Sequence, residues 1–181
     1  MTGNPTTLKL VIDGGSSFGS IAQKYIRCVK DYQKDVTVDF DGYKTSPKDH
    51  DNMRRAKYYS SNIILNHNTP CTVIRARLLA NSHNKTQLIS LLSDVFQANG
   101  VEVLIAEDDA DTLIVKTAIR YGITKDVEVR VEDTDVICLL VHHCPRTNHC
   151  LYVTTKEGTY DIKQVREKLP LKQCEHLLLH T

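Results

Sequence analysis

The sequence lacks a charge bias, a long apolar run, a paired-cysteine motif and any internal repeat. Each absence excludes something. With 23 basic and 22 acidic residues the net charge is +1, so no global sign selects a partner. No stretch reaches the roughly 18 consecutive apolar residues that a membrane-spanning helix needs. The opening Met1-Thr2-Gly3-Asn4-Pro5 has no basic patch running into an apolar stretch, so no secretory signal is expected. Cys28, Cys71, Cys138, Cys144, Cys150 and Cys174 form no CxxC pair. Without a signal peptide they read as reduced thiols, which points to the nucleus or the cytoplasm without choosing between them. Gly14-Gly15-Ser16-Ser17 lacks the lysine of a phosphate-cradling loop.

What is present suits one globular domain over residues 1–181, 41% of them hydrophobic. Strands are expected over 8–12, 36–40, 101–105 and 127–131. Val36, Val38 and Phe40 alternate, as do Val127, Val129 and Val131, whereas Val103-Leu104-Ile105 is a continuous apolar run that predicts burial on both faces. Helical stripes lie between them: Phe18, Ile21, Ala22, Tyr25, Val29 and Tyr32; Leu88, Leu91, Leu92, Val95 and Phe96, stopped at Asn99-Gly100; and Leu113, Ile114, Thr117, Ala118 and Tyr121, stopped at Gly122. Strands alternating with amphipathic helices predict an α/β fold, a three-layer α/β/α arrangement around a mostly parallel sheet. Residues 44–83 read as a basic, partly helical insertion. Residues 150–162 read as a small hairpin turning at Lys156-Glu157-Gly158, and two helices are expected after it, divided by Pro170.

Every expected strand is followed by carboxylates. Asp13 follows the first, Asp41 the second, Glu107, Asp108, Asp109 and Asp111 the third, and Glu132, Asp133 and Asp135 the fourth. In an open parallel sheet those ends share one edge, where ligands bind. Two like charges about 6 Å apart at an effective dielectric near 20 repel by roughly 3 kcal/mol, so gathered acids ask for protonation or a cation. Oxygen-only ligands suit the hard ions Mg²⁺ or Mn²⁺, and a pair of such ions is suited to phosphodiester hydrolysis. Each acid also has a local explanation, in turns or as a helix cap. Capping needs one acid per helix, though, and two helices here begin with D-x-D.

These residues resemble a known family. Phe40-Asp41-Gly42 after a strand resembles the F-D-G signature of flap endonucleases and their XPG relatives, within the PIN-like nucleases. Asp109-Ala110-Asp111 looks like their E-A-E segment, with Asp in place of Glu, and Glu132-Asp133-Thr134-Asp135 like their E-D-x-D segment. Asp13 fits the aspartate that closes their first strand. Around Phe40-Asp41-Gly42-Tyr43 and Arg54-Arg55 the text is similar to a group of animal PIN-like proteins. The resemblance implies a metal-dependent nuclease of the DNA-repair kind. Its catalytic metal ligands are then Asp13, Asp41, Asp109, Asp111, Asp133 and Asp135, while Arg54, Arg55 and Lys57 contact phosphates of single-stranded or branched DNA or RNA. The family's pattern continues to a G-C-D or G-S-D motif within a few residues of the point where this sequence ends, at His180-Thr181.

Two rivals stand beside this reading: a nuclease-fold module that binds nucleic acid or protein without turnover, and a hydrolase of small phosphates. The basic Met53-Arg54-Arg55-Ala56-Lys57 argues against the second, since a small substrate has no need of it. The segments His142-His143-Cys144 and His149-Cys150 match no usual zinc spacing.

Overall fold

The computed structural model describes residues 16–31, 35–41, 61–107, 109–144 and 146–169. The expected strand over 8–12, residues 44–60 of the basic insertion and the expected helix after Pro170 lie outside them. The described residues are mixed α/β, and they divide at Ala110 and Asp111 into two compact units. Each unit has its own apolar cluster.

In the first unit, α1 (Phe18–Lys30) starts where Ser17 accepts the backbone N–H of Ser20 at 3.2 Å. Its stripe of Phe18, Ile21, Ala22, Tyr25, Ile26 and Val29 is buried, and Arg27 and Lys30 sit at the negative end of the helix. Strand β1 (Thr37–Phe40) follows, then α2 (Arg75–Ala80), α3 (Ser82–Ala98) and β2 (Glu102–Ile105). Asn81 caps α3, and Gly100, at φ 77°, closes the far end as the Asn99-Gly100 pair predicts. β1 and β2 pair in parallel, Val38 opposite Val103 and Phe40 opposite Ile105. Val36, Val38, Phe40 and Val103 face the cluster built by α1 and α3, and the Phe40 ring stacks on Phe96 with 6.0 Å between centroids. The expectation that the β2 run is buried on both faces fails at its end, because Ile105 is 51% exposed. Being the last residue of its strand, it lies at the rim of the sheet.

The irregular segment 61–71 is held to the helices by an uncommon device. Asn84 of α3 accepts the N–H of Ile63 at 2.8 Å and donates to the carbonyl of Ser61 at 3.0 Å. Gln87 accepts the N–H of Leu65 at 2.7 Å and donates to the carbonyl of Ile63 at 2.9 Å. Side-chain amides thus satisfy backbone groups that a neighbouring strand would otherwise pair.

In the second unit, α4 (Ala110–Gly122) leads to β3 (Val127–Arg130), α5 (Thr134–His143), β4 (Leu151–Thr154), β5 (Thr159–Asp161) and α6 (Ile162–Lys168). The hairpin forms as expected, with Tyr152 opposite Asp161. It is no appendage, however. β4 also pairs in parallel with β3, Val129 opposite Val153, so β3-α5-β4 is a crossover unit with β4 at the centre of a three-stranded sheet. Val127, Val129, Leu151 and Val153 pack with Val115 and Ala118 of α4, Val136 and Leu140 of α5 and Ile162 of α6. By the strand register the other face carries Glu128, Arg130, Tyr152, Thr154, Thr159 and Asp161, of which Glu128, Arg130 and Thr159 are exposed.

Candidate functional site

The parallel pairing of β1 and β2 determines where the acids of the first unit emerge. The N–H of Ala106 donates to the carbonyl of Phe40 at 2.9 Å, so the two chains leave the ladder side by side. Asp41 follows one strand and Glu107 follows the other, both exposed. Asp109 is also exposed, between β2 and α4. Opposite Asp41 stands a residue that sequence reasoning missed. Lys85, in the first turn of α3, places its ammonium 3.7 Å from Asp41 Oδ2. Burial draws the Lys85 pKa below its ordinary value, and the charge and hydrogen bond of Asp41 pull it back up.

In the second unit Asp111 lies in the first turn of α4. Asp133 is the N-cap of α5, its Oδ1 accepting the N–H of Asp135 at 2.9 Å, and Asp135 lies in that helix's first turn. Asp111 and Asp135 therefore sit within their helices rather than ahead of them. One acid caps α5 and the other suits the positive end of its dipole, so the doubled acids of α5 both have local work. Glu132, at the end of β3, accepts the N–H of Lys156 at 3.1 Å and its ammonium at 3.0 Å. At two strand ends, then, the charge that answers the carboxylate is a lysine. Neither lysine was legible as a partner, since Lys156 reads as a turn residue and Lys85 lies 44 residues from Asp41 in the sequence.

Asp13, Arg54, Arg55 and Lys57 lie outside the described residues. Helix α1 follows the Gly14-Gly15-Ser16-Ser17 stretch. At its N-terminus Phe18 N–H donates to the carbonyl of Thr69 and Gly19 N–H to that of His67, each at 3.0 Å. Those donors are engaged by carbonyls and are not open to a phosphate.

The histidine and cysteine segments are also locally engaged. Asp126 lies 3.5 Å from His149 Nδ1 and accepts the N–H of Cys150 at 2.7 Å, while Arg166 donates to the carbonyl of Cys144 at 2.7 Å. The five described cysteines are free thiols. Among the described residues no group of three or more His, Cys, Asp or Glu side chains is gathered as a metal cluster, and no helix is long and apolar enough to cross a membrane.

Chemically, the first unit offers carboxylate oxygens at the ends of adjacent parallel strands with a lysine beside one of them. That donor set fits a hard divalent ion or, equally, an ammonium. No protein-family model, curated protein or solved structure matches the chain.

Proposed function

We propose that the protein is a divalent-metal-dependent nuclease that hydrolyses phosphodiester bonds of DNA or RNA. Its ligands, direct or through water, are drawn from Asp13, Asp41, Asp109, Asp111, Asp133 and Asp135, with Mg²⁺ or Mn²⁺ as the ion. A three-layer PIN-like fold belongs to the same proposal, as do the contacts of Arg54, Arg55 and Lys57 with the phosphates of single-stranded or branched substrates. The observation that carries it is the exit of Asp41 and Glu107 from one edge of the parallel pair β1–β2. The resemblance of Phe40-Asp41-Gly42 and Glu132-Asp133-Thr134-Asp135 to flap endonuclease motifs supports it. Bound ions would supply an activated water and charge stabilisation at phosphorus. The aspartates hold and orient them, and the arginines position the backbone.

A second reading is favoured by a specific observation. Asp133 caps its own helix, and Asp41 and Glu132 are each answered by a lysine. A nuclease-fold module that binds nucleic acid or protein without turnover needs nothing more. One experiment separates the two: labelled single-stranded, flapped and duplex DNA and RNA are incubated with the protein and Mn²⁺ or a chelator. Ion-dependent cutting that Asp41→Asn removes supports the nuclease. Binding without cutting supports the module as a nucleic-acid binder, and neither cutting nor binding refutes the nuclease and leaves the module only a protein partner.

A further inference from the structure

Lys85 is in an electrostatically awkward place. It occupies the first turn of α3, the positive end of the helix, and that turn contains no acid. A cation there is opposed by the helix dipole. Its side chain keeps only 27% of its surface exposed, and withdrawing an ammonium from water adds to the penalty. Asp41, 3.7 Å away, is a charge that offsets both effects.

We infer that Lys85 is a built-in counter-cation of Asp41, and that a divalent ion reaches this carboxylate by displacing the lysine ammonium. The inference rests on the metal-dependent reading above and adds a regulation of the same site. Its basis is competition, because an ammonium and a hard ion both seek the oxygens of one carboxylate. While the pair is closed, Asp41 is neutralised by the chain itself. When an ion enters, the ammonium is released to water. The Glu132–Lys156 pair shows the same resting arrangement at another strand end, with the ammonium 3.0 Å from the carboxylate.

The test uses two measurements on the full chain. Mn²⁺ binding is followed by calorimetry for the wild type, Lys85→Met and, as a control for net charge, Lys116→Met on the exposed face of α4. Removing the competitor lowers the apparent Kd of Lys85→Met by roughly two- to five-fold, the factor corresponding to an exposed lysine–carboxylate pair, and Lys116→Met leaves it unchanged. In the wild type, saturating Mg²⁺ accelerates acylation of the Lys85 amine, read by mass spectrometry against Lys116. This second measurement decides the matter if Lys85→Met does not fold. Wild-type affinity retained in Lys85→Met, or Lys85 acylation indifferent to the ion, overturns the inference and leaves the metal-dependent reading standing. No uptake by either protein overturns both. Uptake by Lys85→Met alone supports the displacement in its strongest form.

Discussion

The side chain of Asn84 grips the backbone on both sides of Asn62: its oxygen takes the N–H of Ile63 at 2.8 Å and its amide nitrogen donates to the carbonyl of Ser61 at 3.0 Å. Asn84 has no exposed surface, so its amide depends on these two bonds rather than on water. Asn84→Ala leaves two main-chain groups unpaired and is expected to destabilise the protein by roughly 2–4 kcal/mol in urea unfolding. Asn84→Asp behaves differently with pH. The protonated acid keeps both bonds, and burial raises its pKa above the unfolded value. Its stability is therefore greatest in acid and falls as pH rises through the folded-state pKa. A loss below about 1 kcal/mol in the alanine variant would show that the segment is held by other means.

Gly19 is required by a close approach rather than by a turn. A Cβ at this position would lie 2.7 Å from the carbonyl oxygen of His67, the atom that accepts the Gly19 N–H at 3.0 Å. Backbone lies on both sides of that contact, so little can yield. Gly19→Ala is expected to lower stability by about 1–3 kcal/mol despite the better helix propensity of alanine. Thermal unfolding of the variant checks it, and a gain in Tm would refute the close approach.

Substitutions at Asp133 must separate charge from capping. Asp133→Ala removes the cap bond to Asp135 N–H at 2.9 Å and is expected to cost about 1 kcal/mol of stability. Asn caps as well as Asp, so Asp133→Asn retains that stability while removing the charge. Under the nuclease proposal both variants lose ion-dependent cleavage. Under the binding-module reading Asp133→Asn keeps wild-type stability and has no cleavage to lose.

The thiols differ by burial. Cys71 is fully buried and Cys144 is 5% exposed, and burial pushes both pKa values above the ordinary 9.0. Alkylation under native conditions is expected to reach Cys28, Cys138 and Cys150 first and to spare Cys71 and Cys144. The sign of the pH effect follows. Because the folded-state pKa is raised, these thiols contribute stability that is complete below pH 9 and is lost as pH rises through the folded value. A difference titration of wild type against Cys144→Ala, with no divergence above that pH, would count against the burial of this thiol.

Local patterning made much of the fold legible. The stripe from Phe18 to Val29 and the alternation of Val36, Val38 and Phe40 report which face is buried, because periodicity is a property of the segment itself. The start of α3 was hidden for the opposite reason. Asn84 and Gln87 turn inward to bond the backbone of residues 61–65, and Asn81 donates to the side-chain oxygen of Asn62. No periodicity in hydrophobicity marks a polar side chain doing a strand's work. The parallel pairing of β4 with β3 was equally out of reach, since Tyr160 beside Val153 advertises only the hairpin, while register with a strand before the intervening helix is decided by packing. At the candidate site, the acids were found from their position after strands. Lys85 and Lys156 were not, because pairing a charge across distant segments needs the fold first.

The charged face of the second sheet bears on how copies of the chain meet. Among the described residues β3 is an outer strand, paired only with β4, and it carries Glu128 and Arg130 in alternation, joined at 2.9 Å. An outer strand offers unpaired main-chain groups to any passing strand, and charge along it discourages that annealing. Replacing the pair with valines would leave the core untouched while making a cohesive edge. Among the described residues, the strand that leads to Glu132 and Asp133 thus carries charge along its outer edge.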